Sequence, residues 1–539
     1  MTTMDADVVI IGAGIAGALV ASKLASAGVK VLILEAGPRI DRGTAVTTFY
    51  NALVKVPECP YPDTAYAPHP RSDQPDGYYV QVGPQKFAST YLRQVGGTTW
   101  HWLGTCLRLV PDDFHLASRF NRGVDWPLDY DALEPWYGAA ENEIGVSGDS
   151  SDDLGSPRTK PYPMPMIPQS FLDNEITKAF AGTPYQVRST PQGRNATVRD
   201  ERPPCCGNNS CIPICPIQAK YDATVHVARA EAAGAKLIAQ AVVDRIDVGT
   251  DGRVTGVQYK RPDGSAVRVT AKVFVLAAHA IEIPKLLLMS RGPRAPNGVA
   301  NSSDQVGRNL MDHPVQLSYA LAPKPVWPYR GPLSTSGVEN TRLGDWRATR
   351  PSFRIEIGND GWSWPTGAPM ADAQALAATG LRGTVLQQAI LDRTSREIRF
   401  GTLTEQLPDP ANRVVPDYGK RDKLGIPRPR LTYRLDDYTR AGLAEARRIH
   451  QDAFVKMGAT SITHNPDDQF QGAGHVMGTA RMGGDAKTAV VNADLRSFDH
   501  PNLFIQGSAV FPTCGAANPT LTLAALALRS VDGIRKSLV

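Results

Sequence analysis

"ADVVIIGAGIAGALVASKLASAGVKVLILEAG", residues 6–37, decides how the rest of the chain is read. Residues 8–11 are a continuous apolar run, as a strand buried on both faces requires. Gly12, Gly14 and Gly17 follow as G-x-G-x-x-G. The first glycine makes a tight turn, the second lets a pyrophosphate approach the backbone, and the third lets helix and strand pack closely. The helix start then offers free N–H groups to phosphates. "KVLILEAG" predicts a second strand, and Glu35 at its end suits an acceptor for a ribose hydroxyl. A glycine-rich turn alone is a weak signal, but strand, helix, strand and acid all fall at the spacing of a dinucleotide cradle. The motif does not choose between FAD and NAD.

Working outward, the 539 residues are enough for two or three domains around a large core. With 42% apolar and 21% charged residues, the chain is globular and not disordered. Net charge is +5 with both signs dispersed, and no basic block interleaved with aromatics occurs, so nucleic acid is not an expected partner. No apolar run has the length of a membrane span. The N-terminal apolar stretch lacks the basic start of a signal peptide, which predicts no export signal or anchor on this chain.

At the far end, "NLFIQGSAVFPT", 502–513, predicts a strand running into a turn at Gly507. "NPTLTLAALALRSVDGI", 518–534, predicts a helix with Asn518 or Thr520 as cap and Pro519 at its start. Its N-terminus is suited to a second part of the nucleotide. His475 lies on a glycine-flanked loop. "VGGTTWHW", 95–102, supplies Gly96, Gly97, Thr98 and Thr99 as a loop with hydroxyls for pyrophosphate or a flavin edge. "AKLIAQAVVDRIDV", 235–248, reads as one strand.

These pieces, with "FVLAAHAIEIPKLLLMS" at 274–290 and "GRNLMDHP" at 307–314, resemble the glucose–methanol–choline (GMC) flavoprotein oxidoreductases over essentially the whole chain. The resemblance implies an α/β fold, α+β overall. A Rossmann-like FAD-binding domain (1–45, 86–110, 220–315 and 466–539) is interleaved with an antiparallel-sheet substrate domain (46–85, 111–200 and 316–465). It implies FAD as cofactor and His475 and Asn518 as the catalytic pair. The residue types suit the chemistry, because histidine is the natural base near neutral pH and asparagine can hold a substrate oxygen without competing for the proton. Cofactor contacts are expected from Gly12, Gly14, Gly17, Glu35, Gly96, Gly97, Thr98, Thr99, Gly507, Asn518 and Thr520, and from the backbone at Val243. The 100–102 run departs from the common family pattern and looks like the loop of pyranose oxidases, in which a histidine bonds the flavin 8α position. His101 is the matching residue, and a covalent and a non-covalent FAD both stay open. Asn309, Asp312 and His313 are expected to fix packing, with no catalytic role for His313. "CGAANPTLT", 514–522, is also closer to pyranose oxidases, which leaves oxidation at C2 or C3 of a pyranose open.

"PPCCGNNSCIPICPIQAK", 203–220, gathers four of the seven cysteines: Cys205, Cys206, Cys211 and Cys215. Disulfides, a structural zinc, chance and an iron–sulfur cluster compete as explanations. Zinc knuckles favour spaced pairs and fit poorly, whereas the C-x₃-C-P tail matches the end of a bacterial ferredoxin run. The segment at 203–219 also looks like that of one GMC branch, the catalytic subunits of membrane-linked bacterial glucose, fructose, sorbitol and gluconate dehydrogenases. That resemblance implies a 3Fe-4S cluster held by three of the four thiols, with either Cys205 or Cys206 left out. It also implies a carbohydrate substrate, a small subunit carrying an export signal, and a membrane cytochrome c subunit. The location would then be the periplasmic face of the inner membrane, or the cytoplasm without an exported partner. Two other readings remain: an oxygen-using sugar oxidase with a structural cysteine loop, and a non-catalytic flavin carrier. An NAD-linked enzyme is disfavoured because no second G-x-G-x-x-G unit is evident.

Overall fold

A computed structural model describes residues 4–53, 55–74, 76–360, 369–466 and 469–539. The opening motif folds as its pattern requires. The strand Ala6–Ile11 is buried along nearly all its length, with Val8, Val9 and Ile10 fully enclosed. It is the middle strand of a five-stranded parallel sheet ordered Leu503–Ile505, Ala271–Leu276, Ala6–Ile11, Val31–Leu34, Lys236–Ile238. Burial on both faces explains why these strands read as unbroken apolar runs rather than alternating ones. The helix Ile15–Ser26 covers one face and packs against the C-terminal helix Thr520–Lys536. The helix also sits close against the end of the strand Ala6–Ile11, because position 17 has no side chain. A Cβ on Gly17 would lie 2.1 Å from the Gly12 carbonyl oxygen, and Gly12 itself sits at φ +105 against the Ala277 carbonyl.

A second, seven-stranded sheet is antiparallel and runs Thr460–His464, Pro314–Leu321, Glu397–Thr404, Phe353–Gly358, Ser336–Val338, Val187–Ser189, with Gln471–Gly472 pairing off the path. The helix Asp437–Met457 covers it, capped by the Asp436 side chain on the Thr439 N–H and ended by Gly458 at φ +73. Ile449, Ala453 and Phe454 of that helix close a separate core against Phe353, Ile355 and Phe400 of the sheet.

Two predicted details change. Residues 235–248 are two strands, Lys236–Ile238 on the parallel sheet and Val242–Val248 in a three-stranded antiparallel sheet. The chain breaks between them because the Gln240 and Ala241 N–H groups bond to the Gly37 and Glu35 carbonyls of the neighbouring strand end. Pro519, not Asn518 or Thr520, takes the cap position of the last helix, with no side-chain cap bond. The Asn518 amide is engaged elsewhere.

Candidate active site

The carboxyl ends of the parallel strands open onto a cavity of about 190 Å³, the usual location for a dinucleotide on such a sheet. Gly12, Gly14, Glu35, Gly97, Thr98, Thr99, Val243, His475, Gly507 and Thr520 line it. Gly17 and Gly96 do not; Gly17 sets the helix packing, and the Gly96 N–H donates to the Ala13 carbonyl, tying the 95–102 loop to the cradle. The cavity fits a dinucleotide by the cradle itself, for a Cβ on Gly14 would meet nothing within 4 Å. Glu35 accepts from the Ala13 N–H at 2.8 Å and from the Gly37 N–H at 2.9 Å. Burial raises its pKa, and those two donors oppose the rise. Thr99 Oγ1 is committed to its own loop, donating to Gly96 O and accepting from the Ala223 N–H.

Sequence reading missed a buried charge cluster in the same wall. Glu282 pairs with Lys285 at 2.8 Å and lies 3.9 Å from Arg93, and it accepts from the hydroxyls of Tyr78 and Tyr91. Glu282 is held strongly acidic by these cations against its burial. Arg93, Lys285 and Glu282 all line the cavity. The i,i+3 pair lay inside the quoted 274–290 run, but Arg93 is too distant in sequence to have marked it.

A second cavity, about 380 Å³, abuts the first. His475 and Thr520 line both; Asn518 and His101 line the second. His475 N–H donates to Asp312 Oδ1 at 2.9 Å, which fixes the loop. The His475 ring lies between two partners: Nδ1 is 2.9 Å from His313 Nδ1, and Nε2 is 3.4 Å from Asn518 Nδ2. His313, expected to fix packing, is buried and bonded to the Gly515 carbonyl, and it also touches the candidate base, because the turn at 312–313 leads directly into the strand Pro314–Leu321. Burial lowers the pKa of His313 to about 4 and that of His475 well below its ordinary value, so both are neutral. Asp312, buried and bonded to Ser89, is raised to about 6.

Arg354 and Glu356 share one face of the strand Phe353–Gly358. Arg354 Nη1 donates to Asn518 Oδ1 at 3.3 Å and to Glu356 Oε2 at 3.1 Å, and its other nitrogens reach Glu339 at 3.0 Å. Glu356, Asp360, Arg399 and Gln471 give the second cavity a polar lining. His101 is neutral, lowered to about 3 by burial and by the Lys220 charge, and its Nδ1 is buried without a hydrogen-bond partner.

Cys205, Cys206, Cys211 and Cys215 do come together, lining one cleft with Lys220 and Arg194. All seven cysteines are free thiols. Cys211 is buried, Cys206 is exposed, and the Lys220 N–H donates to Cys215 Sγ at 3.5 Å. In donor chemistry the loop suits an iron–sulfur cluster; the cleft among the thiols measures about 10 Å³, near the space of one water, so the thiols would have to part to take one in. Among the described residues, no three His, Cys, Asp or Glu side chains converge closely enough to hold a metal ion. Buried Lys220, lowered to about 8, donates to the carbonyls of Trp100, Trp102 and Cys211 and so pins this loop to the one carrying His101.

Two family models, both described as GMC oxidoreductase, match residues 6–315 and 408–527. The chain is 40% identical to the fructose dehydrogenase large subunit of Gluconobacter japonicus, over 99% of both chains. It is 28% identical to a 2-methyl-1,2-propanediol dehydrogenase of Mycolicibacterium austroafricanum, over 99% of this chain and 96% of the relative. Among solved structures, pyridoxine 4-oxidase from Mesorbium loti superposes with a TM-score of 0.63 at 20% identity, covering 99% of each chain, which speaks to fold alone. A nucleotide cradle on a parallel sheet, an antiparallel sheet beside it and a histidine where their cavities meet thus carry through to sequence likeness along the full length, and the chain belongs to the GMC oxidoreductase family, enzymes acting on CH–OH groups.

Proposed function

We propose that this chain is an FAD-dependent dehydrogenase oxidising a hydroxyl of a sugar, polyol or sugar acid. The observation that carries this reading is the position of His475, which lines at once the nucleotide cavity and a larger second cavity. FAD in the first cavity would supply the hydride acceptor. Gly12, Gly14, Glu35, Gly97, Thr98, Val243, Gly507 and Thr520 would hold it, with His101 as the candidate for a covalent bond. A neutral nitrogen without a partner is what such a bond needs.

In the second cavity, His475 takes the hydroxyl proton, and Asn518 Nδ2 steadies the substrate oxygen. The carboxylates of Glu356 and Asp360 suit acceptors for further hydroxyls of a polyhydroxylated substrate. Likeness to a fructose dehydrogenase large subunit supports that substrate class and an assembly with other subunits.

The cysteine loop is the proposed electron exit. A 3Fe-4S cluster on three of Cys205, Cys206, Cys211 and Cys215 would supply one-electron transfer toward a cytochrome c or quinone chain. A small subunit with an export signal and a membrane cytochrome c subunit would place the enzyme at the periplasmic face of the inner membrane. No helix among the described residues is long and apolar enough to cross a membrane. The narrowness of the cysteine cleft favours a second reading, an oxygen-using oxidase whose thiols are structural.

The test is to purify the chain with its co-expressed small subunit, record visible and EPR spectra, assay iron and acid-labile sulfide, and screen a sugar panel with a dye acceptor. Dye reduction with sugar, together with iron, is expected. No turnover on any carbohydrate overturns the substrate class. Peroxide formation without iron selects the oxidase.

A further inference from the structure

The hydrogen bonds around the His475 ring end on groups whose roles are fixed. The Gly515 carbonyl can only accept, so His313 Nε2, 3.0 Å away, carries the hydrogen. His313 is fully buried and neutral, so its Nδ1 is bare. That nitrogen faces His475 Nδ1 at 2.9 Å, and a bond at this distance requires His475 Nδ1 to donate. A neutral imidazole carries one hydrogen, so His475 Nε2 is bare. From the opposite side, the Arg354 guanidinium can only donate, which turns Asn518 Oδ1 toward it and the amide NH₂ toward that bare nitrogen. The opposite tautomer of His475 would set two bare nitrogens against each other at 2.9 Å and two N–H donors against each other at Asn518.

The groups facing His475 from the packed elements are His313 before one strand, Arg354 and the Glu356 it holds on another, Asn518 ahead of the last helix, and Asp312, whose Oδ1 engages the His475 backbone N–H. The ring therefore leans on a neutral imidazole where many catalytic histidines lean on a carboxylate.

We propose that His313 is a positioning residue that sets the His475 tautomer, leaving Nε2 bare toward the substrate cavity. This rests on the reading of His475 as the proton acceptor. A wrong tautomer removes the base while leaving the ring in place.

The first test uses ¹⁵N-histidine NMR of the FAD-loaded wild-type enzyme, with His475→Ala to assign the resonance. His475 is expected to show a protonated Nδ1 and a bare Nε2, and the reverse pattern overturns the proposal. The second test measures flavin reduction at saturating substrate. His313→Leu leaves His475 Nδ1 no acceptor and is expected to slow reduction about 100-fold with KM little changed. His313→Gln offers an amide N–H to Gly515 and an oxygen to His475, and is expected to stay within about tenfold of wild type. Wild-type rates in His313→Leu overturn the proposal. If His475→Ala also reduces flavin normally, the reading of His475 as base fails with it; if His475→Ala is slow, only the role of His313 falls.

Discussion

The His475 site and the cysteine loop are both clusters of reactive side chains in one chain, and they are built in opposite ways. At His475 each ring nitrogen and each amide atom of Asn518 has one directional partner, and the chain of bonds ends on a carbonyl and a guanidinium. At 203–220 the thiols share a cleft, but the loop is pinned mainly through its backbone. Lys220 Nζ and Arg42 hold the Cys211 and Cys215 carbonyls, and Tyr61 holds the Pro213 carbonyl. The difference separates a site organised by hydrogen bonds before any ligand arrives from one whose thiols are gathered without a common focus.

Acid should break the comparison most strongly. Burial lowers His313 and His279 to about 4 and His101 to about 3, all below the ordinary value. A histidine with a lowered folded pKa is protonated first in the unfolded chain, so its stability is full above about pH 6.5 and is lost as pH falls toward the folded value. Asp312, raised to about 6, works in the opposite sense between about pH 4 and 6, where the folded state binds the extra proton. His69 and His450, lowered by burial to about 4 and about 3, add to the loss, and Glu397, raised to about 7, joins Asp312 against it, so the histidines outnumber the carboxyls. The midpoint of urea unfolding should fall steeply from pH 6.5 to 4, and a flat midpoint contradicts these assignments.

Next in size, His475→Ala should slow substrate-driven flavin reduction about 10²- to 10⁴-fold while FAD stays bound, as followed by stopped-flow bleaching. The smallest effect sharpens the contrast from the other side. Cys211→Ser should leave flavin reduction within about twofold, lower the iron content, and cut coupling to the electron acceptor about tenfold, because a hydroxyl is a poor ligand where a thiolate is required. Unchanged iron and coupling would make the loop structural.

Where residues that act together are neighbours in the chain, the sequence was legible. Strand, turn, helix and acid at 6–37 announce themselves because steric limits at Gly12 and Gly17 and burial on both sheet faces act within a few residues. His475 and Asn518 were found through the family resemblance, and the four cysteines by their crowding. The contact of His313 with His475 was not legible, since a histidine in a polar turn carries no mark of what it will touch.

The sequence by itself therefore determined the cradle through short-range patterns of size and polarity, and its resemblance to a known family supplied the fold class and the candidate base. Only the tertiary structure decided what surrounds that base. His313 meets His475 across 162 residues, and Arg354 meets Asn518 across 164. Such a bond depends on the path of the whole backbone between its partners, because a hydrogen bond forms only within a few tenths of an ångström and a narrow cone of angle.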